Sequence, residues 1–287
     1  MKKITRYTLE AFVAAVVSFG LAAGFGFYGA IRPAKAPSDL TPGDFGIEYR
    51  TVFLRTADGL NLAAWHIPRV GGSDGSAIVA LHGYPADKGD ILPHVIAWAA
   101  DYDLLLVDFR YFGASDGSYT AAGARETLDL AAALDYLRAQ GLERIGVYGF
   151  SMGGAVALLA LADRPEIAAV VAEAPYAELV LMIDELYRNF GPLRRALTWT
   201  NVWAARWLFG IDARSVSPAR ALAGSSRPVL LIHGRDDRVV PFRHAEIIRE
   251  ALAGSPAAEF WFYEGGHGLA PREFSQRTSD FFARFLR

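Results

Sequence analysis

Short runs of Val, Ile, Leu and Ala alternate with stretches of helical periodicity through most of this 287-residue chain, and that alternation restricts the fold more than any other feature. The runs fall at 77–81, 104–108, 145–148, 168–172, 229–232 and 259–263. Four of them are nearly all apolar, as strands covered on both faces must be. Helical stretches are expected at about 91–100, 121–139, 152–163, 242–253 and 271–286. Upstream, the runs 49–56 and 60–67 flank Asp58-Gly59, a hairpin signal. The pattern predicts an α/β fold with eight strands in a mostly parallel sheet and helices on both faces. Residues 176–216 lack a strand of their own. Trp199, Val202, Trp203, Arg206 and Trp207 recur there at helical spacing, which predicts a small helical cap inserted over one edge of the sheet.

The N-terminus departs from this pattern. Lys2, Lys3 and Arg6 precede 21 uncharged residues, 11–31, and Arg32 and Lys35 follow them. As a helix that run would cover about 30 Å, the thickness of a hydrocarbon core. It exceeds the apolar region of roughly 7–15 residues in a secretory signal, so residues 1–37 are expected to be an uncleaved transmembrane anchor. A cleaved signal ending at Ala34-Lys35-Ala36, with Pro37 against it, and a buried core helix are the alternatives. The positive-inside bias places the N-terminus in the cytoplasm and the large domain outside; cleavage would make the domain periplasmic or secreted. Gly24-Phe25-Gly26-Phe27-Tyr28-Gly29 matches a dinucleotide fingerprint but does not lie between a strand and a helix, so it carries no cofactor. Residues 38–47 read as a linker, and 48–287 as the main domain.

Composition removes several classes of function. The 29 Lys and Arg against 31 Asp and Glu give a net charge of −2 with no long basic run, so no nucleic-acid partner is expected. With no cysteine, thiolate nucleophiles, disulfides and cysteine-held metals are excluded. No two histidines have the spacing of a metal site, and no metal or cofactor is implied.

What remains is serine. Gly149-Phe150-Ser151-Met152-Gly153-Gly154 joins the 145–148 strand to a helix in the G-x-S-x-G pattern. In such an elbow the serine sits on a sharp strand-to-helix turn, and the next residue's N–H points where an oxyanion would form. That residue is Met152. A serine hydroxyl needs an adjacent base and the base an orienting acid. His267 follows the last strand in Glu264-Gly265-Gly266-His267-Gly268, and Asp237 follows the strand before it. Asp236 competes with Asp237, with Asp108, Glu173 and Asp184 as further carboxylates. His82-Gly83-Tyr84-Pro85 follows the 77–81 strand. Pro85 has no N–H, so Tyr84 is the second oxyanion donor, and His82 is read as a structural residue of that loop. Ligands of open α/β sheets bind beyond the carboxyl ends of strands, where all these loops lie.

Together these motifs, with Asp108-Phe109-Arg110-Tyr111-Phe112-Gly113-Ala114-Ser115, make residues 48–287 resemble the α/β-hydrolase superfamily. The short cap and apolar N-terminus are similar to its membrane-anchored bacterial members, of serine aminopeptidase-like and prolyl-oligopeptidase-like type. One departure is visible: Tyr111 stands where the family pattern D-x-R-G-x-G-x-S has its first glycine. The resemblance implies acyl transfer to water through Ser151, His267 and Asp237, with Tyr84 and Met152 holding the oxyanion. The cap tryptophans Trp199, Trp203 and Trp207 either line an acyl pocket or dock on the sheet. A carboxylic ester with an apolar acyl group, including lipid-derived esters, is the expected substrate. A peptidase using Glu173, Glu178, Asp184 or Glu185 to hold an amine is the alternative, and a catalytically silent tethered binding protein the third.

Overall fold

The computed structural model describes residues 2–269 and 271–287; the side chains at 2–6, 8, 9, 12, 15 and 16 lie outside the described residues. The helices are α1 (Lys2–Ile31), α2 (Lys88–Val95), α3 (Glu126–Ala139), α4 (Met152–Asp163), α5 (Leu179–Leu186), α6 (Arg194–Phe209), α7 (Pro218–Ala221), α8 (Arg243–Ala251) and α9 (Phe274–Leu286). The strands are β1 (Arg50–Arg55), β2 (Asn61–Ile67), β3 (Ser76–Leu81), β4 (Asp103–Val107), β5 (Arg144–Phe150), β6 (Ile167–Glu173), β7 (Val229–Gly234) and β8 (Ala258–Tyr263). They form one eight-stranded sheet in the order β1-β2-β4-β3-β5-β6-β7-β8.

β1 and β2 make the antiparallel hairpin around Asp58-Gly59, with Arg55 opposite Asn61 and Gly59 at φ 88°. β2 also runs antiparallel to β4, and the remaining pairs are parallel. Every residue of β3 and β4 is buried, because helices cover both faces. The strand period of two divides them cleanly. Ala77, Val79 and Leu81 pack with Leu130 and Leu134 of α3 and Val156 of α4, while Ile78 and Ala80 pack with Leu92 of α2 and Phe281 and Phe282 of α9.

From β3 the chain crosses one way to β4 and then, by way of α3, the other way to β5. The carboxyl ends of β3 and β5 therefore flank a topological switch point, the place where open sheets leave a crevice. α3 begins at Glu126 rather than near 121 because the buried Glu126 carboxylate takes the N–H groups of Ala121 and Gly123 and the Thr120 hydroxyl, holding 120–125 as a loop.

The segment between β6 and β7 carries α5, α6 and α7 and no strand. α6 buries Leu197, Val202 and Ala205, yet Trp199, Trp203 and Trp207 are 48, 62 and 69% exposed. These tryptophans do not dock on the sheet: helical spacing identifies their common face, and that face is turned outward.

α1 is a continuous helix whose last turns lie on the protein. Ala23, Phe27 and Ile31 are buried, Phe27 and Ile31 in a cluster with Ala205 and Ile211, and the rings of Phe27 and Phe209 are 5.5 Å apart. Among the described residues no helix is long and apolar enough to cross a membrane, so the expected transmembrane helix is not found there. The side chains at 12, 15 and 16 of that expected span lie outside the described residues.

Candidate active site

The elbow is built by close backbone contacts that only glycine permits. A Cβ on Gly149 would sit 2.3 Å from the Gly153 carbonyl carbon, and one on Gly153 would sit 2.4 Å from the Leu81 carbonyl oxygen. The spacing of glycines around Ser151 is therefore a packing requirement of β5, α4 and β3. Ser151 itself has φ 52° and ψ −114°, a conformation that costs a non-glycine residue on the order of 1–3 kcal/mol and persists because its surroundings enforce it. Its N–H donates to the Glu173 carbonyl at 2.8 Å, tying the turn to the end of β6. Ser151 is 7% exposed, at the amino end of α4. Met152 is the first residue of α4, where a helix leaves the N–H without an internal partner.

His267 and Asp237 come together as the loop order requires. His267 Nδ1 lies 2.7 Å from Asp237 Oδ2, and the His267 ring packs on Phe150 with centroids 4.7 Å apart, beside the elbow. Asp237 is held in turn: its Oδ1 accepts the N–H groups of Val239 and Val240, each at 2.8 Å. Burial alone would raise the Asp237 carboxyl. The hydrogen bond and charge of His267 and the two backbone donors outweigh burial and hold the group below the usual carboxylate range. Asp236 is exposed, so only Asp237 of the two competitors reaches the histidine. His233 was not singled out by the sequence as part of this loop. Its Nε2 is 2.8 Å from the Val240 carbonyl and 3.5 Å from Asp237 Oδ2, and burial keeps its pKa low. A neutral His233 donating to Val240 fastens the aspartate loop to β7.

The loop after β3 closes the third side. A Cβ on Gly83 would lie 2.9 Å from the Phe150 ring and 3.3 Å from Ser151 Cβ, so the Tyr84 backbone is brought close to the nucleophile position. His82 is fully buried, accepts the Phe109 N–H at Nε2 (3.0 Å) and contacts the Gly83 carbonyl through Nδ1 (2.7 Å). Burial depresses its pKa. It is a brace between the β3 and β4 loops.

The Asp108–Ser115 motif braces the same rim. Asp108 accepts from the Lys88 N–H and ammonium and from the Ala114 N–H. Arg110, 3% exposed, bonds Asp129 and Asp58 at 2.6 and 2.7 Å. Tyr111 keeps the left-handed backbone, at φ 75°, that the family pattern assigns to glycine. Its hydroxyl donates to the Pro33 carbonyl at 2.6 Å, and the Tyr84 hydroxyl donates to the Ala30 carbonyl at 2.9 Å. The segment leaving α1 is thus strapped across both rim loops.

Glu173 is the group whose state sequence could not suggest. It is fully buried, accepts the Tyr148 hydroxyl at 2.7 Å, and its Oε1 has no partner among the described residues. Burial pushes its pKa up to about 7, with the nearby Asp237 charge adding and the Tyr148 bond and His267 opposing. Asp184 pairs with Arg194 and Thr198, and Glu185 with Arg243. A groove of about 570 Å³ lined by Thr127, Asp163, Arg164, Ser217 and Arg220 lies elsewhere and includes none of the elbow residues.

The family and fold that carry this site have known relatives. The sequence profile of the prolyl oligopeptidase family covers residues 115–287. The chain belongs to the prolyl oligopeptidase family. A solved esterase of Pyrococcus furiosus is 29% identical, with a TM-score of 0.75, over 90% of this chain and 99% of that one. The acylaminoacyl peptidase of Pyrococcus horikoshii, at 20% identity and a TM-score of 0.60 over 84% of this chain and 42% of that one, shares the fold. Among sequence relatives, the uncharacterized protein YfhR of Escherichia coli strain K12 is 27% identical over 85% of this chain and 81% of its own. The α/β hydrolase domain-containing protein WAV2 of Arabidopsis thaliana is 24% identical over 79% and 74%. The chain is thus an α/β hydrolase of this family.

Proposed function

We propose that this prolyl oligopeptidase family member is a serine hydrolase of carboxylic esters, held at a membrane by its N-terminal segment. The observation that carries the reading is the 2.7 Å contact between His267 Nδ1 and Asp237 Oδ2, with the imidazole packed against the elbow that presents Ser151. Aspartate at Nδ1 keeps the proton there and leaves Nε2 free as a base. Ser151 Oγ attacks the ester carbonyl as His267 takes its proton. The oxyanion is held by the Met152 and Tyr84 N–H groups. His267 then returns the proton to the departing alcohol, and water hydrolyses the acyl-enzyme by the same steps in reverse.

Two observations favour an ester over a peptide. A structural relative at 29% identity, matched over 99% of its own length, is an esterase. Of the four carboxylates named to hold a substrate amine, Glu173 is fully buried and Asp184 and Glu185 are paired with arginines, which leaves the half-buried Glu178 alone for that role. The family itself favours the second reading, a peptidase. Turnover of p-nitrophenyl esters of graded acyl length, compared with amino-acid p-nitroanilides, decides between them: the ester reading expects the esters to be preferred by at least about 10³ in kcat/KM, about 4 kcal/mol of transition-state discrimination. Preference for the anilides would replace it with the peptidase, and no turnover of either would favour the silent binding protein.

The tether is supported by the uncharged residues 11–22, which follow Lys2, Lys3 and Arg6 and precede the turns of α1 that pack on the protein. The basic N-terminus would lie in the cytoplasm and the hydrolase domain outside. The substrate class this suggests is a small or lipid-derived ester with an apolar acyl group.

A further inference from the structure

α6 is amphipathic in an unusual sense: its inner face is apolar and so is much of its outer one. Trp199, Trp203 and Trp207 follow one another at intervals of four residues and are all exposed. At 100° per residue, Arg195 and Arg206 fall on the same outward face, and both are exposed. Leu193 and Leu208, 51 and 68% exposed, extend the apolar surface at the two ends of the helix. Residues 188–214 hold five arginines (188, 194, 195, 206, 214); Arg194 is paired with Asp184 and Arg206 with Asp212, which leaves Arg188, Arg195 and Arg214 as net positive charge about the helix. Exposed tryptophans interleaved with arginines suit neither a solvated surface nor a protein core; they suit a lipid headgroup boundary, where amphipathic rings and cations are both stabilised.

α1 gives the surface its continuation. Ala23, Phe27 and Ile31 fasten about 12 Å of α1 to the protein, with Phe27 against Phe209 at the end of α6. The turns before them expose Val13, Val17 and Leu21, and Phe25 is 82% exposed on the side away from that contact. Because Phe27 packs on Phe209, the exposed turns of α1 begin next to the C-terminal end of α6.

We propose that the outer face of α6, centred on Trp203 and continuous with the exposed side of α1, is a docking surface for a bilayer containing anionic phospholipid. The occupant is a lipid surface because of that combination of tryptophan, arginine and a neighbouring apolar helix. The inference rests on the tether reading and is independent of the esterase reading. The same α1 segment is strapped through Tyr84 and Tyr111 to the rim of the elbow, so docking would set the candidate active site beside the headgroups.

The test uses the full chain with vesicles of phosphatidylcholine, with and without phosphatidylglycerol, made from ordinary or bromine-labelled acyl chains. The protein is expected to float with the vesicles. Bromolipid is expected to lower its tryptophan emission by about half, more with phosphatidylglycerol than without, since three of the six tryptophans lie on the proposed surface. In the Trp199→Phe/Trp203→Phe/Trp207→Phe variant, with an unchanged unfolding midpoint, that quenching is expected to fall to roughly a tenth or less. Failure to float overturns both the tether and the docking surface. Flotation with equal quenching in native and variant protein overturns the docking surface alone. A dimer in solution that the variant abolishes overturns it in favour of a second copy of the chain.

Discussion

Asp237→Asn isolates the electrostatic part of the proposed mechanism with little change of shape. The native carboxylate makes three hydrogen bonds: one oxygen accepts the Val239 and Val240 N–H groups, and the other meets His267 Nδ1 at 2.7 Å. An asparagine keeps its carbonyl oxygen on the two backbone donors, because reversing the amide would set its NH2 against two N–H groups. Its NH2 then faces Nδ1 and makes that nitrogen an acceptor. The imidazole proton moves to Nε2, the atom that must take the proton of Ser151, and the imidazolium formed during attack also loses its counter-charge. In the established serine triad the same exchange lowers kcat by about 10⁴, equivalent to about 5 kcal/mol. Folding should change much less, within about 2 kcal/mol, since the two backbone bonds survive, the third is replaced by an NH2 to Nδ1 bond of reversed direction, and a buried charge is removed. The assay is steady-state hydrolysis of a p-nitrophenyl ester at pH 7 beside urea unfolding, with Asp236→Asn as the control. Loss of less than tenfold in Asp237→Asn, or an equal loss in Asp236→Asn, would refute the assignment of the orienting acid.

Glu173→Gln should change the pH dependence of stability. The native carboxyl has a folded pKa of about 7, above its ordinary value, so its neutral form favours folding at low pH and that advantage is lost as pH rises toward 7. The glutamine variant should therefore gain roughly 3 kcal/mol on the native protein between pH 4 and pH 8 in urea unfolding; a pH-independent difference contradicts the buried, neutral glutamic acid. Arg110→Met leaves the Asp129 carboxyl buried without its partner, with burial driving it toward the neutral form, and should cost about 3–5 kcal/mol of stability while kcat per folded molecule stays within a few-fold. Tyr84→Phe removes the bond to the Ala30 carbonyl but not the backbone N–H. It should cost about 1 kcal/mol in stability and under tenfold in kcat, whereas a loss near 10³ would move the oxyanion donor to the hydroxyl.

Much of this arrangement is legible in sequence because its causes are local. Asp58-Gly59 specifies the β1–β2 register through one left-handed glycine, and the bounds of α4 follow from the elbow that opens it. Ser151, Asp237 and His267 each sit directly beyond a strand, so chain order and topology bring their loops to one edge. What sequence leaves hidden depends on contacts between distant segments. Periodicity grouped Trp199, Trp203 and Trp207 on one face without revealing that the opposite face is the buried one. Glu126 starts the predicted helix late through four acceptor contacts to the preceding loop, an effect of burial that residue type does not announce. Tyr111 reads as a departure from the family pattern; its backbone keeps the glycine-like geometry, and its side chain reaches residue 33. Glu173 owes its raised pKa to burial among strands that are distant from it in the chain, β6 itself excepted, and the rise persists against the opposing Tyr148 bond.

The central claim is that Ser151 is an activated nucleophile. Incubation of the native chain with a fluorophosphonate, followed by peptide mapping in a mass spectrometer, tests it most directly. The account predicts one stoichiometric adduct, on Ser151, that is absent from Ser151→Ala while that variant remains folded and loses at least about 10⁴ in ester turnover. No adduct on Ser151 in active protein, or full activity in folded Ser151→Ala, would contradict it.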